Sequence, residues 1–393
     1  MSSKEMRLIT LQEAMDIFGI SRSTIDRWRL TKQLPFIKIG KEVFIDPEEL
    51  QKWIRSYAAD HRDADGRKER RVLKLAIGYQ SGTAHMWSSL LIKETGFFEE
   101  ELKRYYPKHL LEIDWYNGVS GLELLEGMIM GKLHIASLGD YPIKISNTLS
   151  RLLPSFQSVL LAFDGKTPQG KGISIAVPAG SPVSTPHDLS GETICTVAHS
   201  SASLRLKRLL TEIGGDDAKI IHGNMGDNMN RIVERSVGAG VMWEPYLSLL
   251  GYTGGARLLF EEGMGDDYLT GLIASREWAA AHPDIVVAYL KAHLRAHQMM
   301  RTQLPQVVKL IRHSTGIPEI VVWKVLSQVR WDSAVYERDL ETLSRLDVPA
   351  EAAREDGSIC TQADYLQMAL EQLRLPQVPN SPIRGGWAVE ELY

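Results

Sequence analysis

A row of polar side chains, His199-Ser200-Ser201-Ala202-Ser203, follows directly on the short apolar run Thr193–Ala198. Apolar residues then recur at near-helical spacing, at Leu204, Leu206, Leu209, Leu210 and Ile213. A strand, a hydroxyl-rich turn and a helix N-terminus together present backbone N–H groups and serine hydroxyls to a small polar or anionic ligand. The alternative is that these serines only cap the helix, which is the commonest role of serine at such a position.

Strands and helices alternate along the chain after residue 70, and each strand runs into a polar or glycine-rich loop. The predicted strands are Arg71–Tyr79, Leu111–Trp115, His134–Leu138, Ile173–Val177, Thr193–Ala198, Lys219–His222 and Gly238–Met242. This order is typical of an α/β domain with a mostly parallel sheet, because loops at the carboxyl ends of parallel strands collect at one edge. A long helical region is predicted from about Trp278 to Leu373.

Composition places the chain among ordinary globular proteins. A composition of 44% hydrophobic and 24% charged residues is typical of this class, and a length of 393 residues is enough for two or three domains. No apolar run reaches membrane-spanning length and the N-terminus lacks the pattern of a signal peptide, so we expect a cytoplasmic protein with no membrane contact. The two cysteines, Cys195 and Cys360, form no disulfide or metal-binding pattern. We therefore predict no metal and no cofactor.

The first seventy residues have a pattern of their own. Thr10 and Glu13 form a capping-box signature at the start of one helix, and Ser21 starts a second helix after the turn at Gly19. Residues 35–45 alternate in polarity around a Gly-Lys turn, which predicts a β-hairpin, and Pro47 starts a further helix. Two short helices joined by a tight turn predict a helix-turn-helix.

The phrases SRSTIDRW, LPFIKIGKEVFID and PEELQKWI, within residues 8–57, resemble the excisionase-type winged helix-turn-helix. The resemblance implies double-stranded DNA as a partner, with a domain over residues 1–57 and a linker over 58–70. It implies the base-facing candidates Arg22, Ser23, Thr24 and Arg27 and the phosphate contacts Lys38 and Lys41. Residues 1–71 hold 15 lysines and arginines against 12 acidic residues, whereas the rest of the chain holds 30 against 37. This excess of positive charge is a weak indication that the N-terminal part binds nucleic acid. A module for protein contact is the alternative.

Five longer phrases resemble the periplasmic substrate-binding proteins of importers for nitrate, sulfonates, taurine and thiamine precursors. They are KLAIGYQSGTAHMW, LLEGMIMGKLHIASLGDYP, GISIAVPAGSPVSTPHDLSGETICTVAHSSAS, AGVMWEPYLSLL and GLIASREWAAAHPDIVVAYLKAH. The resemblance implies an α/β fold over residues 71–373 with ligand held between two lobes. Lobe I would comprise 72–162 and 257–373, and lobe II 163–256, with crossing strands near 160–163 and 255–259. Residues 374–393 form a tail, expected either to cross a partner surface or to be disordered.

The same resemblance implies which loops face the ligand. On lobe I it marks Gln80, Ser81, His85, Gly139, Asp140 and Tyr141, and on lobe II it marks His199, Ser200, Ser201, Ser203, Asp227, Trp243 and Glu244. Several alternatives stay open. Trp243 could belong to the core and His85 could be a surface histidine, while Asp140 and Glu244 could be helix caps, an ion pair between lobes or an acid/base pair.

The ligand class stays open as well. Serine hydroxyls at a helix N-terminus suit a sulfonate, nitrate or carboxylate, whereas Asp140, Asp227 and Glu244 suit an amine, an amidine or an aminopyrimidine. The leading hypothesis is a ligand-responsive transcription regulator that is not an enzyme. We expect a homo-oligomer, because one winged helix offers few DNA contacts.

Two other hypotheses use the same fold. One is a cytoplasmic enzyme similar to desulfinases or to the pyrimidine synthase of thiamine biosynthesis, although the nucleophilic cysteine and the cysteine-rich run of those enzymes are missing here. The other is a solute-binding protein of a transport complex, acting on a sulfonate or a compound similar to a thiamine precursor.

Overall fold

The structure of this protein is a computed structural model. It describes residues 8–10, 13, 34–40, 42–46, 49, 72–153, 156–346 and 359–388. The chain divides into two units, Met1–Arg70 and Arg71–Tyr393. The predicted linker, residues 58–70, lies outside the described residues. None of the described helices combines the length and the apolar character that crossing a membrane requires.

The first unit contains a three-stranded antiparallel sheet of order β1-β3-β2. Its strands are β1 (Ile9–Thr10), β2 (Ile37–Ile39) and β3 (Glu42–Ile45). The predicted hairpin is confirmed, and so is the capping box, because the Thr10 amide donates to the Glu13 carboxylate (2.7 Å) and the Glu13 amide donates to Thr10 Oγ1 (3.2 Å). Lys38 is exposed on β2. Arg22, Ser23, Thr24, Arg27 and Lys41 lie outside the described residues, so the arrangement of the helices stays a prediction.

A six-stranded sheet forms the centre of one lobe of the second unit, and its order is β14-β7-β13-β6-β4-β5. The strands are β4 (Val72–Tyr79), β5 (Leu110–Asn117), β6 (Ile135–Gly139), β7 (Ser158–Thr167), β13 (Tyr268–Ser275) and β14 (Arg330–Trp331). β4 is parallel to β5 and β6, whereas β13 is antiparallel to β6 and β7.

The other lobe is built on a five-stranded sheet of order β10-β9-β11-β8-β12. Its strands are β8 (Ile173–Pro178), β9 (Thr193–Thr196), β10 (Lys219–His222), β11 (Ala239–Trp243) and β12 (Ala256–Leu258). The expectation of mostly parallel sheets is wrong, because β8, β12, β13 and β14 all pair antiparallel. The chain leaves the six-stranded sheet along β7 and returns to it along β13, and the two strands lie side by side in opposite directions.

The connections between the sheets fall later in the chain than the sequence predicted. β7 stays in the six-stranded sheet through Thr167, and β12 still belongs to the five-stranded sheet. The chain therefore crosses at about 168–172 and 259–267, rather than near 160–163 and 255–259. We keep the names lobe I and lobe II for the parts built on the six-stranded and the five-stranded sheet.

Thirteen described α-helices cover the two sheets. They are α1 (Trp87–Thr95), α2 (Phe97–Tyr105), α3 (Gly121–Ile129), α4 (Asp140–Leu152), α5 (Ser201–Ile213), α6 (Met225–Val233), α7 (Tyr246–Thr253), α8 (Arg276–Ala281), α9 (Pro283–Thr302), α10 (Leu304–Thr315), α11 (Glu319–Leu326), α12 (Glu337–Ser344) and α13 (Ala363–Gln372). Short 3₁₀ helices span Ala84–Met86, Pro168–Gly170 and Pro186–Leu189.

Each lobe has its own hydrophobic core. In lobe I, α9 is buried along most of its 20 residues and packs with α1, α2 and α13. A helix that is apolar around most of its surface lies inside a protein rather than at its edge. The buried polar side chains of α9 are Lys291, His293 and His297. In lobe II, the core lies between the strands and α5, α6 and α7.

The described part of the predicted tail, residues 374–388, crosses lobe I of its own chain. Ile383 forms a β-bridge with Tyr336, and its amide donates to the Val335 carbonyl (2.9 Å). Further along, the indole N–H of Trp387 donates to Asp339 (2.7 Å), and the Arg338 guanidinium lies 4.4 Å from the Trp387 ring centroid. The described part of the tail is therefore an ordered strap over α12.

Candidate functional site

The predicted ligand loops of the two lobes meet directly. Trp243, at the end of β11, donates its indole N–H to the Gly82 carbonyl of lobe I (2.9 Å). The Ala84 amide of lobe I donates to the Glu244 carbonyl of lobe II (2.9 Å). At Gly82 a Cβ atom would come 2.9 Å from the Tyr246 hydroxyl, so this approach leaves no space for a side chain. The structure thus shows the lobes closed on each other.

A buried ion pair joins the lobes at the start of α4 and on α5. Arg205 Nη2 lies 2.8 Å from Asp140 Oδ2, and both side chains are at most 4% exposed. Asp140 also accepts from the Tyr141 amide (2.6 Å), as the first residue of its helix. Of the alternatives left open for Asp140, the structure shows the ion pair between lobes.

Arg205 also holds the crossing segment of the chain. Its guanidinium donates to the carbonyls of Met264 (3.0 Å), Asp266 (3.2 Å) and Asp267 (3.0 Å), and to the Ser201 carbonyl (3.1 Å) one turn earlier in α5. Sequence reasoning missed this residue. The available signal was its spacing, because position 205 is four residues after Ser201 and therefore shares the face of the helix that carries the predicted site.

Ser200 and Ser203 are engaged in capping α5. Ser200 Oγ accepts from the Ser203 amide (3.1 Å) and donates to the Val197 carbonyl (2.7 Å), while Ser203 Oγ accepts from the Ser200 amide (2.9 Å). Ser201 is buried and faces the other lobe, since a Cβ atom at Gly139 would lie 2.9 Å from its hydroxyl. Ser200 and Ser203 therefore cap the helix, which is the alternative noted in the sequence. A ligand role for this loop stays a prediction.

His85 is buried behind the interlobe contact, so a surface histidine is the wrong interpretation. Its Nε2 pairs with Thr167 Oγ1 (3.1 Å), and its ring centroid lies 4.5 Å from that of Tyr268. Burial, with a smaller effect of the Arg205 charge, lowers the pKa of His85 to about 3. The ring is therefore neutral at physiological pH. Its Nδ1 has no hydrogen-bond partner among the described residues.

The first loop of lobe I is held by hydrogen bonds within that lobe. The Ser81 amide donates to Asn117 Oδ1 (2.9 Å), and Asn117 Nδ2 donates to Ser81 Oγ (2.8 Å). Trp87 Nε1 donates to the Ser81 carbonyl (2.8 Å), and Gln80 Nε2 donates to Met86 Sδ (3.4 Å). The loop reaches lobe II in a defined shape, which is what a binding loop needs.

The acidic candidates do not form an acid/base pair. Glu244 accepts from the amide (3.1 Å) and hydroxyl (2.8 Å) of Ser248, while Asp140 is engaged with Arg205. Burial raises the pKa of Glu244, and the Ser248 hydrogen bonds oppose that shift. Glu244 thus has the role of a cap at the start of α7.

Three further candidates complete the predicted set. His199 is exposed, with a left-handed φ of 49°, and Asp227 is exposed near the start of α6, where its amide donates to Asn224 Oδ1 (2.9 Å). Tyr141 belongs to the core of lobe I. Beside Arg205 lies a cavity of about 310 Å³, lined in part by Arg208, Phe260, Met264 and Leu346.

Cys195 has the environment expected of an inert thiol. It is fully buried in β9, and its Sγ lies 3.8 Å from the Asn228 carbonyl. Burial raises its pKa to about 11, so the nucleophilic thiolate is scarce at neutral pH. This placement argues against a desulfinase-like reaction at Cys195.

Two stretches of the chain match known protein families. Residues 8–58 match the family described as a helix-turn-helix domain, and residues 168–305 match the family described as NMT1/THI5 like. The first match lies in the first unit of the chain and the second match lies within the second unit. Both resemblances noted in the sequence are thereby confirmed.

Relatives of the NMT1/THI5-like part are named as binding proteins. A putative aliphatic sulfonates-binding protein of Escherichia coli is 25% identical over 63% of this chain and 73% of its own length, and one of Bacillus subtilis is 27% identical over 65% and 74%. The alkanesulfonate-binding protein SsuA from Xanthomonas axonopodis pv. citri, solved with MOPS bound, superposes with a TM-score of 0.57 at 22% identity and covers 70% of this chain and 91% of that one. The second unit, Arg71–Tyr393, therefore has a periplasmic-binding-protein-like fold.

Proposed function

We propose that this protein is a cytoplasmic, ligand-responsive transcription regulator. Its helix-turn-helix domain binds double-stranded DNA, and the two lobes sense a small molecule without converting it. The observation that carries the proposal is the joining of a DNA-binding family and a binding-protein fold in one chain. Two copies would act together on a repeated or palindromic operator, because one small domain makes too few contacts for tight binding.

An organic sulfonate fits the described contacts better than a cation does. The Asp140 carboxylate is neutralised by Arg205, and Glu244 is engaged with Ser248, so neither charge is open to an ammonium group. The Ser203 amide in the first turn of α5 already donates to Ser200 Oγ, and the helix dipole still favours an anion at this N-terminus. The named sulfonate-binding relatives support the same class. Because the lobes are closed on each other, the ligand enters only after the Trp243–Gly82 and Asp140–Arg205 contacts separate.

The first prediction concerns DNA. Arg22→Ala and Arg27→Ala should each weaken operator binding by about 1–3 kcal/mol and relax sequence preference, because base contacts carry specificity. Lys38→Ala and Lys41→Ala should instead weaken binding evenly across sequences. Each should also lower the slope of log affinity against log salt concentration by about 1, because one phosphate contact is lost. Fluorescence anisotropy on an operator selected from random DNA, repeated at several salt concentrations, measures both effects.

The matched control for the DNA experiment is Lys74→Ala. Lys74 is an exposed lysine of the other unit, paired with Glu112 at 3.4 Å, and its removal changes net charge by the same amount. We expect operator affinity and salt dependence to stay at wild-type values. Wild-type binding by the Arg22 and Arg27 variants would contradict the assignment of the second helix to base recognition.

The second prediction concerns coupling between the two ligands. If the lobes regulate DNA binding, a sulfonate such as MOPS must bind with a different dissociation constant in the presence of saturating operator. The ratio of its two constants must equal the ratio of operator constants with and without MOPS, by thermodynamic linkage. Isothermal titration calorimetry in a sulfonate-free buffer gives all four values. Identical constants with and without operator would show that the lobes do not act on the DNA domain through binding.

A further inference from the structure

Lobe I contains a buried polar cluster that the proposed function does not use. Asp164 on β7 and His293 and His297 on α9 are each fully buried. One nitrogen or oxygen atom from each of the three side chains lies within 4.8 Å of the other two. Positions 293 and 297 are four residues apart and so share one face of α9, which packs against the strand that carries Asp164. Such groups in a core cost free energy unless their polar atoms are satisfied.

The hydrogen bonds define which ring atom is available on each histidine. His293 Nε2 lies 3.0 Å from the Phe163 carbonyl oxygen, which can only accept, so Nε2 carries the proton and Nδ1 carries a lone pair. That Nδ1 is buried and has no hydrogen-bond partner among the described residues. His297 Nε2 lies 2.9 Å from Asp164 Oδ1, and its Nδ1 lies 3.1 Å from Ser333 Oγ.

We propose that Asp164, His293 and His297 form a binding site for a divalent first-row transition metal ion. The ligands are Asp164 Oδ1, His293 Nδ1 and His297 Nε2. Two imidazoles and one carboxylate suit zinc, iron or cobalt ions, whereas magnesium and calcium need mostly oxygen ligands. Three protein ligands leave a fourth position for water.

The hydrogen bonds that the three side chains make on the side away from the ion also fit a metal site. Metal-binding histidines commonly donate their other N–H group to a carbonyl or another fixed acceptor, which orients the ring. Here His293 donates to the Phe163 carbonyl, and His297 can donate from Nδ1 to Ser333 Oγ. Ser88 Oγ donates to the second carboxylate oxygen of Asp164 at 2.6 Å. All three ligands are therefore already oriented by partners on their far side.

Metal binding requires only small movements. Ligand atoms about 2 Å from a common ion can be no more than about 4 Å apart, and one ligand atom from each of the three side chains already lies within 4.8 Å of the others. The proton on His297 Nε2, which now faces Asp164, moves to Nδ1, and the metal ion takes its place. The ion would tie α9 to β7 and offset the buried carboxylate charge. Since the site is buried, the ion enters during folding or local opening.

The experiment uses the full chain without a histidine tag. Protein refolded with one equivalent of Zn²⁺ or Co²⁺ and passed through gel filtration should retain about one ion per chain by elemental analysis, and Mg²⁺ should not be retained. The Co²⁺ form should show visible absorption typical of low coordination number. Its melting temperature should exceed that of the EDTA-treated protein by a few degrees.

The variants His293→Gln and Asp164→Asn should lower metal affinity at least tenfold. His313→Gln, which removes an exposed histidine of α10, is the matched control and should keep the wild-type affinity. If either site variant fails to fold, the wild-type measurement still decides. Wild-type protein that retains less than a tenth of an equivalent, or a Co²⁺ spectrum unchanged by His293→Gln, overturns the proposal.

Discussion

Asp140→Asn is expected to lower the free energy of unfolding of the second unit by about 3–5 kcal/mol. The substitution keeps the size of the side chain and removes its charge. Arg205 then stays 4% exposed without its carboxylate partner, since its other hydrogen bonds are to carbonyl groups and the Tyr268 ring, 5.5 Å away, carries no charge. Breaking a buried ion pair on one side is costly because the remaining charge keeps its desolvation penalty. Urea denaturation followed by circular dichroism measures the change.

Arg205→Met tests the same pair from lobe II. It should cost a similar amount, because Asp140 is left as a buried carboxylate and the carbonyls of the crossing segment lose their donor. In the double variant the two losses of stability should not add. The coupling energy of this double-mutant cycle separates the contribution of the ion pair from that of the carbonyl contacts. The pair joins α4 of lobe I to α5 of lobe II, so both single variants should also favour separation of the lobes.

A control pair joins the same helix, α5, to the crossing segment. Arg208 and Asp266 are 3.1 Å apart with side chains 28% and 36% exposed. Partial exposure screens the charges, so Asp266→Asn should cost less than about 1 kcal/mol. If Asp140→Asn costs no more than Asp266→Asn, the buried pair does not hold the lobes together.

Trp243→Ala is expected to cost about 3–5 kcal/mol of stability even without ligand. The indole is 5% exposed and belongs to the core of lobe II, which is the core alternative left open by the sequence. Its N–H group also donates to the Gly82 carbonyl of lobe I, so the same side chain serves the core and the interlobe contact.

Trp243→Phe separates those two roles. Phenylalanine keeps most of the apolar contact in lobe II but removes the N–H donor, which leaves the Gly82 carbonyl without this partner. We expect a loss of about 1 kcal/mol from the hydrogen bond, with a further loss for the smaller ring. Trp323→Phe on α11 is the control, because that indole is 45% exposed, and it should change stability by less than about 0.5 kcal/mol. Equal losses for Trp243→Ala and Trp323→Ala would contradict the core placement.

Features set by neighbouring residues could be predicted from the sequence. The strand, turn and helix around residue 200 are present as β9, the Ser200 cap and α5, which ends at Gly214 with a left-handed φ of 68°. The capping box at Thr10 and the hairpin of β2 and β3 were predicted in the same way. Caps, turns and apolar periodicity act over a few residues, so the order of residues contains them.

Contacts between distant residues were decided by the tertiary structure. The sequence marked Asp140 as a charged residue at a loop, but its partner Arg205 is 65 residues away on the other lobe. The spacing of His293 and His297 is visible in the sequence, whereas Asp164 reaches them only because α9 packs beside β7. The direction of β13 likewise follows from the return of the chain out of lobe II. In each case the deciding interaction forms after the chain has closed a long loop, so local patterns along the sequence contain no record of it.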